Sequence, residues 1–537
     1  MAQNPMIPGF APDPSIVRIQ DDYFLVTSSF HIFPGLPIYS SKDLVSWKHI
    51  GNAINRASQL SLSLSSTRLH NISGPPHERL VGAGGLYAPT IRHHKGRTYI
   101  VCTNVKHLHT ENRKDEMAKV GFENFIIHTE DIWSDSWSDP IYFDFHGIDP
   151  DLFFDDDERA YISGSSWRTI PSTIDCFGID LQTGKKLSAQ HVIWEGHTKV
   201  IPEGPHIYKR GEWYYLLDSE GGTHEDHQLS IARSKSIWGP FESCAQNPIL
   251  APSSGRTGYQ YVQYNGHGDL FQDEKGNWWI VCLAARTDQE NRCIMGRETF
   301  LASVHWPEDS WPVIEQPIPC NPASEVDVSF STPTSSQTDL VWIRDPDLDG
   351  YEFLNDGQII KLRPSPRGID DPVGPVSFVG KRQRYLNGQA TVMLQRNLDK
   401  SLQAIDVTAG LAYYKDEHRY VRIAYNYSTS TVSFEMKNAG RNLAIHTSKE
   451  EKLVAGLAQG DFIKFCIKHT EKSLKFGYLE GHAEEHAWTF IATVDTHDLT
   501  DRDFTGPCIG LFATAKAVEG FDSVKVTFEG FSMYDNQ

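Results

Sequence analysis

The sequence predicts an all-β protein: a five-bladed β-propeller followed by a C-terminal antiparallel β-sandwich. Three observations carry this. A turn-then-strand theme recurs five times in the first 325 residues, a Ser/Thr/Pro-rich break follows, and period-2 alternation marks the segments beyond it.

The repeated theme is a Gly-, Asp- or Asn-rich turn leading into an aromatic, β-branched strand. It reads DDYFLVTSSF (21–30), KGRTYIVCTN (95–104), DDERAYISGS (156–165), RGEWYYLLDS (210–219) and KGNWWIVCLA (275–284). Tyr23, Tyr99, Tyr161, Tyr214 and Trp278 hold comparable places, about 50 to 80 residues apart. Spacing of that kind marks propeller blades, and five copies imply five blades. A plain sandwich with similar hairpins is the competing architecture. Residues 329–340, SFSTPTSSQTDL, read as linker, so the expected domains are 1–325, a linker at 326–340, and 341–537. In the last domain Val524, Val526 and Phe528 alternate with Lys525, Thr527 and Glu529. Together with YVRIAYNY (420–427), TVSFEMK (431–437) and FIKFCIKH (462–469), this predicts sheets with one wet face.

Composition narrows the function. Hydrophobic residues are 39% and charged residues 22% of 537, enough for a large core. The net charge of −19 and the lack of any run of five Lys or Arg argue against nucleic acid and anionic membranes as partners. Aromatic residues at 11%, with 13 Trp and 21 Tyr, suit a sugar-binding cleft or an aromatic β core. Eight Cys with no CxxC pair argue against a zinc or redox motif. With no signal-like N-terminus and no stretch approaching 18 apolar residues, the expected location is the cytoplasm. The sequence leaves a homo-oligomer open.

No phosphate loop, GxGxxG or GxSxG elbow is present, and HEDH (224–227) reads as loop polarity. What remains is carboxylates in unusual settings. Asp13 lies between Pro12 and Pro14, a stiff segment that makes it either a turn residue or a preorganised base. Asp149 and Asp151 open the apolar strand of HGIDPDLFFDDD, where alternation would put both on one face; strand-start turn chemistry is the competing account. Glu203, in KVIPEGPHIYK, follows an apolar run, and apolar neighbours raise a carboxyl pKa as a general acid requires. In a propeller the innermost strands line one channel, so acids from distant blades can converge. Two opposed carboxyl groups in an aromatic pocket are the minimum apparatus for glycosidic hydrolysis.

Several motifs, in order, resemble glycoside hydrolase family 43, particularly its two-domain β-xylosidases. They are NPMIPGFAPDPSIV (4–17), SSFHIFPGLPIYSSKDLVSW (28–47), GLYAPTIR (85–92), GIDPDLFFDDD (147–157), EGPHIYK (203–209), EGGT (220–223), NGHGDL (265–270) and GRETFL (296–301). The resemblance spans nearly the whole chain and implies a concanavalin-like sandwich closing the propeller mouth. It implies Asp13 as general base, Glu203 as general acid, and Asp149 as a third acid that orients Glu203 and raises its pKa. Asp151 stands where the family commonly has Ser, which leaves it as a competitor for that third role. Arg286 matches the family arginine that binds sugar hydroxyls. Phe30 and Tyr87 match aromatic walls of the innermost subsite, with Phe33 beside them. Phe504, in DFTGPCIGLFA, matches the tip of a loop over the mouth. His267 matches a histidine that in some relatives sits beside a calcium ion, although one histidine suits a hard cation poorly and a plain channel histidine fits equally. The implied activity is exo-acting, inverting release of D-xylose from short β-1,4-xylo-oligosaccharides, with no required cofactor. α-L-Arabinofuranosidase activity, alone or as a second activity, and a non-catalytic carbohydrate-binding propeller are the alternatives.

Overall fold

The computed structural model describes residues 4–71, 79–108, 120–251, 261–318, 337–396, 406–441, 449–452, 462–481, 488–516 and 524–535. Packing divides the chain into two compact units: residues 1–65, 84–289 and 297–332, and residues 66–83, 290–296 and 333–537. Most of the linker expected at 326–340 lies outside the described residues. Within it, Gln337–Asp339 form a 3-10 turn and Leu340 opens a strand. No α-helix occurs among the described residues.

The first unit contains five four-stranded antiparallel sheets. Their first strands are Ser15–Ile19, Gly85–His94, Gly147–Phe154, Glu203–Arg210 and Val262–Gln272. Each first strand neighbours the next, and the fifth neighbours the first, so they form a closed ring. The N-terminal segment ties the ends together: Asn4 exchanges hydrogen bonds with Leu301 (2.8 and 2.7 Å), and Met6 N–H donates to the Thr299 carbonyl (2.8 Å).

The recurrent aromatics occupy the second strands, Asp22–Val26, Arg97–His107, Ala160–Ser166, Trp213–Glu220 and Trp278–Arg286. There they join neighbouring blades. The Tyr23 hydroxyl donates to Glu274 of blade five (2.6 Å), and the Tyr214 hydroxyl to Asp155 of blade three (2.7 Å). The core lies between blades: Ile16, Tyr23 and Leu25 pack with Phe271, Val281 and Leu301, all buried. Full burial of one such side chain contributes roughly 1.5–3 kcal/mol.

The inner strands depart from plain alternation at one shared place. Register shifts fall between Tyr87 and Thr90, Ile148 and Asp151, Glu203 and His206, and around Gly266. Residues of positive φ stand at these shifts: Ala88 (25°), Asp149 (55°), Gly204 (55°) and, in the doubly shifted fifth strand, Tyr264 (63°) and His267 (44°). Asp13 (52°) holds the same place ahead of the first inner strand. This corrects the expectation that Asp149 and Asp151 share a face. The bulge adds a residue between them, so alternation does not carry across.

In the second unit, one sheet runs Leu340–Ile343, Phe378–Arg382, Cys508–Ala515, Val407–Asp416, Arg419–Asn426, Thr431–Asn438, Lys449–Lys452. The other runs Tyr351–Leu354, Ile359–Leu362, Val526–Asp535, Gly388–Gln395, Phe462–His469, Ser473–Glu480, Thr489–Asp495. Val524, Val526 and Phe528 are buried, as the alternation predicts. Tyr420–Tyr425 is instead buried on nearly every residue except Arg422, so this central strand has almost no wet face.

Candidate active site

Positive-φ positions on different inner strands approach one another: Asp13 lies 3.9 Å from His267, and Asp149 bonds the Gly204 backbone. Non-glycine residues adopt this conformation rarely, at a cost of roughly 1–3 kcal/mol each, and it persists only where the surroundings hold it. Asp13 is held by Ser28, whose hydroxyl donates to Asp13 Oδ2 (2.6 Å). That hydroxyl also accepts the Ala88 N–H (2.7 Å), so its own hydrogen is committed to the carboxylate. Asp149 Oδ2 accepts the Gly204 N–H (3.1 Å). Glycine is required there, because φ is +55° and a Cβ would lie 2.8 Å from the His267 ring. Glu203 immediately precedes this glycine, and all three acids are buried.

Electrostatics bind the three acids into one cluster. Burial, helped by the Asp13 charge and opposed by Arg297, pushes the Glu203 carboxyl up to about 7. Burial, then Glu203 and Asp13, push Asp149 well above the ordinary carboxylate range. Buried carboxyls this close cannot all ionise together, so a proton is retained near neutrality. Of the sequence candidates, Asp13, Asp149 and Glu203 are thus brought together.

Asp151 lies elsewhere. It is fully buried in a separate polar layer, where Arg92 Nη2 donates to it (2.9 Å), the Ile207 N–H donates to it (3.0 Å), and His206 Nδ1 is 2.9 Å away. Arg92 Nη1 also bonds Asp269 (2.8 Å), which accepts from Ser15 (2.7 Å) and Tyr208 (2.7 Å). Burial raises the Asp269 carboxyl, but Arg92, His206 and the Ser15 hydrogen bond together outweigh it and hold the group far below its ordinary value.

Phe30 and Tyr87 meet edge to face at 5.0 Å between ring centres, and Phe10 stacks on Phe30 at 6.1 Å. Burial, then Asp149 and Asp13, push the Tyr87 hydroxyl far up, which places this ring beside the acids. Phe33 is buried. Arg286 makes a two-pronged bond to Glu298, both contacts 2.8 Å, and Glu298 also accepts the Gly9 N–H (2.7 Å). Phe504 belongs to the second unit, where it follows Arg502–Asp503 and packs toward Gly82.

His267 Nδ1 lies 3.9 Å from Asp13, and burial lowers its pKa to about 4, so the ring is neutral at pH 7. Its surroundings do not fit direct calcium ligation. The nearby carboxylate already accepts from Ser28, and among the described residues no group of three His, Cys, Asp or Glu side chains is arranged to hold a metal ion.

Two functional neighbours escaped the sequence reading. Arg297, buried at the start of Glu298–His305, donates to the Thr223 carbonyl (2.8 Å) and acts electrostatically on Glu203 and Asp149. Its only signal was its place in GRETFL. His227 is the second: the last residue of HEDH is not loop polarity but a buried ring with Nε2 3.8 Å from Glu203 Oε1.

Comparison with known proteins finds matches along nearly the whole chain. The glycosyl hydrolases family 43 model matches residues 2–312, and the β-xylosidase C-terminal concanavalin A-like domain model matches 328–533. A xylosidase/arabinosidase from Butyrivibrio fibrisolvens is 34% identical over 452 residues, covering 79% of each chain. A non-reducing end α-L-arabinofuranosidase from Bacteroides ovatus is 31% identical over 533 residues, 95% of this chain and 91% of its own. The crystal structure of a xylan β-1,4-xylosidase from Bacillus halodurans superposes with a TM-score of 0.82 at 26% identity, covering 100% of both chains.

Proposed function

We propose, from the premise that this chain belongs to family 43 of the glycosyl hydrolases, that it is an exo-acting, inverting β-xylosidase. Its substrate is the non-reducing end of short β-1,4-xylo-oligosaccharides. The observation that carries this reading is the pairing of a buried Glu203, proton-bearing near pH 7, with Asp13 on the same channel.

The chemistry balances on water and two carboxyl groups. Asp13 takes a proton from water as the water oxygen bonds to the anomeric carbon from the face opposite the leaving group. The glycosidic C–O bond breaks, and its electron pair takes the proton held by Glu203. Asp13 ends protonated and Glu203 ionised, and exchange with solvent restores both. Asp149 fixes the Gly204 turn beside Glu203 and shares with it the proton that neighbouring buried carboxyls retain. Arg286, oriented by Glu298, binds sugar hydroxyls, while Phe30 and Tyr87 wall the sugar.

α-L-Arabinofuranosidase activity is the second reading, favoured by the names of the two relatives above. Rates on aryl β-D-xylopyranoside and aryl α-L-arabinofuranoside, measured side by side, separate the two. Proton NMR during xyloside hydrolysis should show α-xylose first, with β-xylose growing in by mutarotation. Initial β-xylose would overturn inversion and with it the base role of Asp13.

A further inference from the structure

His227 is a buried group that the mechanism above does not use, and its tautomer can be read from its contacts. Nδ1 lies 3.2 Å from the Tyr264 carbonyl oxygen. A carbonyl only accepts, so Nδ1 carries the hydrogen. The ring is 1% exposed, and burial, then Arg297 and His267, lower its pKa to about 3, so it stays neutral. Nε2 is therefore a bare lone pair, and it makes no hydrogen bond. It faces Glu203 Oε1 at 3.8 Å. The ring is fixed in this pose by Gly266, where a Cβ would fall 2.1 Å from the imidazole Cε1.

We propose that His227 is a positioning residue for Glu203: its Nε2 lone pair, aimed by the Tyr264 carbonyl, keeps the neighbouring carboxyl in its protonated, proton-donating form. An ionised Glu203 would set a negative oxygen against that lone pair. A protonated Glu203 can turn its O–H dipole toward that lone pair across the 3.8 Å gap, and this short-range attraction favours the neutral carboxyl over the carboxylate. The opposite tautomer would place an N–H there and favour the carboxylate, so the Tyr264 carbonyl sets the sign of the effect. Other groups bear on the same carboxyl from each neighbouring blade. Asp13 favours the proton, Arg297 opposes it, Asp149 is itself pushed well above the ordinary carboxylate range, and His267 and Tyr87 are uncharged at neutral pH. His227 is the uncharged acceptor in this set. The inference rests on Glu203 being the general acid.

The test has three parts. In wild-type protein labelled with 15N-histidine, NMR at pH 7 should show the His227 ring protonated at Nδ1 with a bare Nε2. An Nε2–H tautomer or an imidazolium would overturn the proposal whatever the variants do. His227→Phe keeps a ring without a lone pair, and His227→Ala removes it. With melting checked, each should move the basic limb of kcat/KM for xylobiose about one pH unit toward acid. A basic limb unmoved, or moved toward alkali, in a folded variant would overturn it. Glu203→Ala separates this from failure of the parent reading. If that variant loses an activated aryl xyloside as completely as xylobiose, the acid role of Glu203 itself falls, independently of His227.

Discussion

Replacing Glu203 by Gln should destroy activity and stabilise the fold, and the second effect depends on pH in a calculable way. The folded protein raises this carboxyl from 4.5 to about 7, chiefly by burial. Between those values the folded state keeps a proton that the unfolded chain releases, so stability falls as pH rises through the window. The full rise corresponds to about 3 kcal/mol, lost by the wild type above pH 7 and still present below pH 4.5. Gln is nearly isosteric and cannot ionise, so the variant escapes this loss and also relieves the charge facing Asp149. Calorimetry at pH 8 should show the propeller transition of Glu203→Gln about 4 °C above wild type. At pH 5 the gap should nearly vanish. Any fixed cost of burying the amide appears equally at both pH values, so the difference between them is the readout. A gap that is the same at pH 5 and pH 8 would mean that Glu203 titrates as an ordinary surface acid, and the acid assignment would lose its physical basis.

Other outcomes follow from the same cluster. Glu203→Ala should keep much of its rate on an aryl xyloside with an acidic phenol while losing several hundredfold or more on xylobiose; Asp13→Ala should lose both, because water activation is needed whatever departs. Equal losses across both substrates in both variants would contradict the roles. Asp149→Asn should move the basic limb of activity toward acid, since Glu203 then loses the neighbouring carboxyl with which it shares a retained proton. Asp151→Asn should leave that limb in place but cost about 1.5–3 kcal/mol in denaturant melts, because it removes one of the two buried carboxylates that Arg92 bridges while Asp269 still pairs with it. Asp218 is raised well above its ordinary range by burial and then by Glu220. Asp218→Asn should therefore melt higher than wild type at pH 8 and converge with it near pH 4, and a variant no more stable at pH 8 would refute the shift.

How much of this was legible in the sequence depends on the length scale of each signal. The blade count was legible because Tyr23, Tyr99, Tyr161, Tyr214 and Trp278 recur in second strands, where each ring must fill the space beside a neighbouring blade. Packing repeats, so residue type repeats. The acids were legible as oddities, prolines flanking Asp13 and an apolar run before Glu203. The Asp149–Asp151 relation was misread because period-2 alternation assumes an unbroken ladder, and one bulge reverses every face beyond it. His227 was misread because HEDH is polar throughout. Local polarity says nothing about a ring that tertiary packing buries against Gly266. Arg297 gave no local signal, since its effect is Coulombic and reaches acids on other blades.

A second repeat, shorter and more informative, runs through the inner strands. Aligned on the bulge, the chain reads Asp13-Pro14-Ser15-Ile16, Ala88-Pro89-Thr90-Ile91, Asp149-Pro150-Asp151-Leu152, Gly204-Pro205-His206-Ile207 and His267-Gly268-Asp269-Leu270. Its fourth position is a buried aliphatic in all five, because every blade must seal against the next. Its third position is polar in all five, and four of these, Ser15, Asp151, His206 and Asp269, take part in the layer tied together by Arg92. Only the first position varies in chemistry, through Asp, Ala, Asp, Gly and His, while keeping positive φ. The scaffold thus fixes a backbone conformation five times and frees the side chain at that point to be chosen blade by blade. Strain that would be pointless in a structural strand is maintained at the one place where it turns a residue toward the channel. The polar layer below holds each turn from one side, and the aliphatic position holds it from the other. Breaking the Arg92 layer should accordingly loosen all five turns at once, whereas changing a first-position residue alters chemistry without altering the ring.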